Sequence, residues 1–326
     1  MVQARKICCV VLLVLCSARA FCWGFFAHEK INYYAVFLLP PEMIAFYKPH
    51  IRFISEHAVD PDKRRYLLPQ EGARHYIDID RYGSYPYASL PHKWEEAMAR
   101  YGEDTLQANG IVPWWTQQML QRLTQAFKEK DENKILKLSA ELGHYIADAH
   151  VPLHACSNHN GQYTSQKGIH AFWESRVPEL LADKEWNFFI RKAGYISRPG
   201  DFIWSRVLES AAAADTVLQA EKRLGNQFPS DQKFAFETRK GQLVRQYSAA
   251  YTLAYNQKLQ GMVERRMRQA IYATASFWYT AWVNAGQPDL KTLNHTNFST
   301  VELSEFEQLD KAWRAGTVKG EERLEP

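Results

Sequence analysis

The sequence predicts an all-α protein, a single compact domain of many helices. Two observations carry this. Apolar residues recur at helical spacing nearly throughout, and no alternating apolar–polar run extends beyond a few residues. "RHYIDID" (residues 74–80) is the best strand candidate and is short. A third observation concerns domain count. The 326 residues contain no internal repeat and no stretch rich enough in Gly, Pro or Ser to act as a linker, and their length supports one large core.

The elements follow in chain order. "INYYAVFLL" and "PPEMIAFYKP" read as short helices closed by prolines. "PHKWEEAMARYG" reads as another, with Pro91 in its first turn. "PWWTQQMLQRLTQAFKEK" and "DENKILKLSAELGHYIADAH" form a helical pair, the second opened by Asp131 as its cap. "HAFWESRVPELL" begins a further helix. "DFIWSRVLESAAAADTVLQAEKRL" and the stretch from "QLVRQYSAAY" to "YTAWV" read as long amphipathic helices. The domain is expected to span residues 23–286. Residues 287–326 are polar and expected to form a partly loose tail.

The first 22 residues have the form of a secretory leader. Arg5 and Lys6 precede an apolar stretch from Ile7 to Cys16, too short to span a bilayer, and small residues follow. Cleavage after Ala20 fits the pattern of Ala18-Arg19-Ala20. Cleavage after Cys22 puts Ala20 at the minus-three position and leaves Trp23 first. An uncleaved anchor is the competing reading of the same segment. Export to the periplasm or the exterior is the expectation. Of five Cys, four lie in this leader and only Cys156 remains beyond it, so stability has to come from the core or from metals. The leader holds three of the 40 Lys and Arg, and the rest nearly balance the 36 Asp and Glu. That balance selects no nucleic-acid partner.

Ligand-type side chains recur in order: His28, Asp60, His75, His144, Asp148, His154, His170 and Glu174. His144 and Asp148 are four apart on one predicted helix and so share a face, and His170 and Glu174 repeat that spacing on the next. Pro152 ends the first of these helices, with His154 on the turn beyond. Nitrogen and carboxylate donors without cysteine suit zinc or another borderline divalent ion. Singly, each piece has an ordinary reading: a solvated pair, a core histidine, or a turn aspartate in "DPDK". Asp62, two residues on, competes with Asp60.

The joint order resembles the superfamily of zinc-dependent phospholipases C and single-strand-specific zinc nucleases, with "GHYIADAHVPLH" its most specific element. The resemblance runs from Trp23 to about Glu174 through motifs, and implies an all-helical fold around a trinuclear zinc cleft. It further implies that the Trp23 α-amino nitrogen and carbonyl oxygen hold one ion with His28 and Asp148. Asp60, His75, His144 and Asp148 would hold a second, with Asp148 bridging, and His154, His170 and Glu174 the third. In that scheme water activated between two ions attacks phosphorus in line, Asp60 accepts its proton, and the third ion offsets charge on the departing oxygen. Asp78, Asp80 and His150 are candidates for orienting the ligand histidines.

The segment between His154 and His170 bears on the substrate. The nuclease branch resembles a Gly-Gly-Asn loop followed by His-x-x-x-Asp and a base-contacting Asn. Here the loop is absent, the carboxylate is Glu174, and Ser175 follows. "PLHACSN" and Glu174 are more similar to the phospholipase C branch. The acidic residue that branch carries near its N-terminus is Phe26 here, a departure from choline-type headgroup recognition. The expected partner is a phosphodiester, either a phospholipid, with peripheral membrane contact, or single-stranded nucleic acid. No obligate protein partner is evident. An exported zinc-binding protein without turnover is the reading from a different class.

Overall fold

Asn32 and Gly143 show how the central helices are brought together. In the computed structural model, which describes residues 24–239, 241–293, 297–316 and 318, Asn32 lies fully buried on α1 (Phe25–Val36). Its side-chain amide donates to the carbonyls of Ile54 (3.1 Å) and Ala140 (3.0 Å), which satisfies two acceptors inside the core. A Cβ at Gly143 would overlap the Asn32 side-chain oxygen, so the absence of one is what admits the close approach. The expected leader, residues 1–22, and Trp23 lie outside the described residues.

The chain continues through α2 (Pro41–Tyr47), α3 (Ile51–Glu56) and α4 (Asp60–Arg64), then two 3-10 turns, Pro69–His75 and Ile79–Tyr82. "RHYIDID" therefore forms turns and loop rather than a strand. Next come α5 (Trp94–Tyr101), α6 (Glu103–Asn109), α7 (Val112–Glu129) and α8 (Glu132–Asp148). Pro91 precedes α5 instead of sitting in its first turn, because the helix opens at Trp94. The expected cap on α8 forms: the Asp131 carboxylate accepts from the Lys134 backbone N–H at 3.1 Å.

The following helix is interrupted. α9 (Ile169–Ala171) runs into a π turn over Phe172–Arg176 and out into α10 (Val177–Glu185). After α11 (Pro199–Gln227) the structure corrects the sequence reading. The long helix expected from Gln242 onward is preceded by a hairpin of β1 (Phe234–Arg239) and β2 (Gln242–Tyr247), with Phe234 opposite Tyr247. It then divides into α12 (Ala249–Lys258) and α13 (Met262–Asn284). The hairpin is fastened to the π turn. Arg176 donates to the Tyr247 carbonyl (3.1 Å) and to Glu237 (2.5 and 3.2 Å), and Phe172 stacks on Tyr247 at 3.8 Å. Within the stretch expected as a loose tail, α14 (Thr300–Ala315) is closed by a capping box of Ser299 and Glu302. It packs on α4 and seats Trp313 against Phe25 at 5.2 Å.

α1, α7, α8 and α13 pack on one another as the centre of the molecule, with α3 and α11 against their flanks. Trp278 on α13 donates to the Ser139 carbonyl (2.9 Å), while Tyr47 stacks on Trp278 (5.2 Å) and bonds the Ser139 hydroxyl (2.8 Å). These two large rings are thus buried without stranding their polar atoms. Cys156 forms no disulfide among the described residues. No helix in the described residues is long and apolar enough to cross a membrane.

The α1–α8 contact generates a stability prediction. Gly143→Ala gains helix propensity but overpacks the Asn32 amide, for a net loss of about 1–2 kcal/mol. Urea unfolding measures it. The second change Asn32→Ala, which removes the obstructing group, is expected to make the cost of Gly143→Ala vanish.

Candidate metal centre

α8 supplies two side chains from one face. His144 and Asp148 are four residues apart and both fully buried, with His144 Nε2 at 3.3 Å from Asp148 Oδ2. The His144 ring is fixed by its other nitrogen, Nδ1, which donates to the Ala58 carbonyl at 2.8 Å. α1 sets His28 against this pair. Its ring stacks on His144 at 3.8 Å, and its Nε2 stands 3.5 Å from Asp148 Oδ1. From the end of the first 3-10 turn, His75 turns Nδ1 toward Asp148 Oδ2 and His144 Nε2, both at 3.0 Å. Asp148 thus presents one oxygen to His28 and the other to His75 and His144.

The carboxylate that joins His75 and His144 is Asp62, not Asp60. Asp62 Oδ1 lies 3.8 Å from His75 Nδ1 and 3.9 Å from His144 Nε2. Asp60 turns away, held by His57 Nδ1 at 2.6 Å and Lys63 Nζ at 3.4 Å. The reason is helical. Both residues lie in the single turn of α4, where a two-residue offset puts them on different faces, and α8 meets only one of these. A third group forms across the π turn. His170 Nε2 and His154 Nε2 approach Glu174 Oε2 at 3.0 and 3.5 Å, and His154 Nδ1 bonds the His75 carbonyl at 2.6 Å. Among the described residues three sets of potential ligands result: His28, His144 and Asp148; Asp62, His75 and His144; and His154, His170 and Glu174.

Electrostatics point to a cation. Burial raises the Asp62 carboxyl, offset in part by His144 and His75. Burial alone would also raise Asp148, but His144 and His154 hold it well below the ordinary carboxylate range. Burial opposes charge on His75, yet its bond to Asp148 and the nearby Glu71 carboxylate lift it to about 9. A proton there and a cation among these groups meet the same need, positive charge against buried carboxylates, so cation binding releases protons. Both ring nitrogens of His28, both oxygens of Asp62, Oδ1 of Asp148 and Nε2 of His75 are buried without a hydrogen bond. Such atoms cost free energy unless a metal or water meets them. The donors, imidazole nitrogen and carboxylate oxygen, suit zinc.

Trp23 lies outside the described residues. Gly24, next to it, is buried, and a Cβ on it would lie 2.5 and 2.8 Å from Ser175 Oγ and Cβ. Asp80 and His150 do other work than orienting ligands. Asp80 accepts from Ser157 N and Oγ (2.9 and 2.6 Å), and His150 Nδ1 bonds the Ile146 carbonyl at 2.7 Å. The orienting partners are the Ala58 and His75 carbonyls and Glu71. Glu71, fully buried, lies 3.6 Å from His75 Nε2 and bonds the Tyr145 hydroxyl and Arg74 (2.6 Å). Its sequence signal was its place four residues before His75.

A family model for zinc-dependent phospholipase C matches residues 27–221. No curated protein matches the chain.

The Asp60–Asp62 difference is directly measurable. Asp62→Asn is expected to weaken zinc binding by at least the roughly 10–100-fold that follows loss of an orienting partner. Asp60→Asn is expected to leave zinc affinity within about threefold, since Asp60 faces His57 and Lys63. Competition with a chromophoric chelator on folded protein measures both. Equal loss would return Asp60 to the ligand set.

Proposed function

The chain belongs to the zinc-dependent phospholipase C family, enzymes that hydrolyse phosphodiesters, and from that membership we propose that it cleaves a phospholipid on the glycerol side of its phosphate. The observation that carries the reading is the double engagement of Asp148, with one oxygen toward His28 and the other toward His75 and His144. A carboxylate so placed suits a bridge between two ions. His28, His144 and Asp148 would hold one ion and Asp62, His75 and His144 border another. His154, His170 and Glu174 would hold a third.

Zinc, when bound, withdraws electron density from phosphoryl oxygen and acidifies coordinated water. The chain's own groups supply positioning and proton handling. His144 and His154 are locked by bonds from Nδ1 to the Ala58 and His75 carbonyls, which leaves Nε2 to face the centre. Asp62 takes over the proton-accepting part that the sequence reading gave to Asp60. With one oxygen toward His75 and His144, its other oxygen is free of hydrogen bonds and its basicity is raised by burial. Burial of these groups strengthens the electrostatic interactions among them.

The amino terminus belongs to the same proposal. Removal of the leader before Trp23, on an exported protein, would free an α-amino group two peptide bonds from Phe25, where α1 begins. His28 lies one turn further on. The seating of Gly24 against Ser175, beside Glu174, supports this placement. Ser175 is also where the nuclease branch carries its base-contacting Asn, which favours lipid over nucleic acid.

The deciding experiment is a substrate panel on zinc-loaded mature protein: phosphatidylcholine, other phospholipids, single-stranded DNA and RNA, and a chromogenic phosphodiester. Release of diacylglycerol and a phosphorylated headgroup is expected, abolished by chelator and restored by zinc. Cleavage of nucleic acid with lipid untouched would transfer the reading to nuclease. Tight zinc without any turnover would make the protein a zinc binder. Separately, protein retaining residues ahead of Trp23 is expected to bind less zinc than protein beginning at Trp23, as elemental analysis would show. Equal loading would remove Trp23 from the ligand set.

A further inference from the structure

Phe189 is 89% exposed, yet it stands on a tightly held loop. The segment between α10 and α11 has no regular structure, but its backbone is fastened at several points. Phe189 N–H donates to the Asn187 side-chain oxygen at 2.7 Å, making the tip a local turn. Arg268 on α13 donates to the carbonyls of Asn187 and Phe189. The Lys192 ammonium reaches the Phe37 carbonyl at 3.0 Å, and Ala193 N–H bonds the Leu38 carbonyl at 2.9 Å. A mobile loop could fold a phenyl ring back onto the protein. This one holds it in water, where an apolar side chain is unfavourable.

The surroundings differ on the two sides of Ile190. On one side a mostly apolar groove of ≈ 640 Å³ is lined by Tyr34, Phe37, Leu38, Trp186 and Phe188, with Phe189 and Lys192 on its wall. On the other a cavity of ≈ 480 Å³ is lined by Arg191, Arg206, Arg265 and Arg268, with Arg191 over the Tyr272 ring at 4.3 Å, and no carboxylate lines it. Two acids lie nearby and both are engaged. Glu209 pairs with Arg206 (2.7 Å) and Arg266 (2.9 Å), and Glu264 accepts from Asn187 N–H at 3.2 Å. Arg191, Lys192 and Arg265 are exposed. None of these residues belongs to the three ligand sets.

We propose that this face, with the Phe189 tip on the wall of an apolar groove that adjoins an arginine cavity at Ile190, docks the protein on a bilayer containing anionic phospholipid. An aromatic wedge enters the interface between headgroups and chains, while guanidinium groups meet lipid phosphates, the division of labour that anchors peripheral proteins. The choice of lipid over nucleic acid rests on the groove. Polyanion binding calls for cations along a track, whereas here the cations flank an outward apolar tip. The proposal does not rest on phosphodiester turnover, since docking would serve or fail whatever the metal centre does.

The test measures sedimentation of the zinc-loaded full-length mature protein with phosphatidylcholine vesicles, with and without phosphatidylglycerol. Binding is expected to strengthen with the anionic lipid and weaken with salt. The double change Phe189→Ser with Arg191→Gln is expected to reduce binding by about tenfold or more. Its zinc content and thermal unfolding midpoint should stay at the wild-type values, which reports that the fold is intact. Phe189→Leu, still apolar, is expected to retain binding. Equal binding by the double variant and the wild type would overturn the proposal, as would indifference to anionic lipid. Retention of single-stranded DNA but not vesicles by this face would overturn it in favour of a nucleic-acid surface.

Discussion

Everything in this structure accommodates one cost, the burial of imidazoles and carboxylates within a helical core. Asp62, Asp148 and Glu174 are all almost completely withdrawn from solvent. An ionised carboxylate in such surroundings costs several kcal/mol unless positive charge and hydrogen bonds meet it. Apolar packing cannot supply either. The groups have to be arranged so that cations can serve several of them at once, and Asp148, shared among four histidines, is the clearest expression of that requirement.

The scaffold meets it by fixing His144, His154 and His75 from behind. Backbone carbonyls of Ala58 and His75 take one nitrogen of His144 and His154. Behind His75 stands a second buried network. Glu71 and Glu141 are joined through Arg64 and Tyr145, and His75, Arg64 and Arg74 draw the Glu71 carboxyl down against the effect of its burial. These groups fasten a short irregular turn to α8, so a histidine on a weakly regular segment is held as firmly as one on a long helix. Gly143 and Asn32 perform the corresponding task for α1, bringing His28 within stacking distance of His144.

Much of this was legible from spacing. His144 with Asp148 and His170 with Glu174 could be read from the i to i+4 interval alone, since that interval fixes relative direction on a helix. The choice between Asp60 and Asp62 could not, because it turns on which side of a single helical turn meets α8, a tertiary fact. The hairpin at Phe234–Tyr247 escaped for a different reason. Its strands are six residues each and half exposed, and "QLVRQY" runs directly into "SAAYTLAY", whose helical spacing dominates a longer window. The helix Thr300–Ala315 was passed over for its polar composition: its apolar stripe of Leu303, Phe306, Leu309 and Trp313 is thin, and of these only Leu309 is buried.

The π turn at Phe172–Arg176 has a consequence for how such a chain can vary in length. A π turn amounts to one residue more than an α-helix of the same span would hold. Its loss by deletion would leave a perfectly regular helix, and local propensity would favour that outcome. But the two halves would then be rotated by about 100° relative to each other. A residue removed between His170 and Glu174 would leave them three apart and still on one face, but Arg176 beyond them would turn away from the strands it grips. Length change in this stretch is therefore penalised through geometry rather than through helix stability, and insertions and deletions should be tolerated in the surrounding loops but excluded from these five residues.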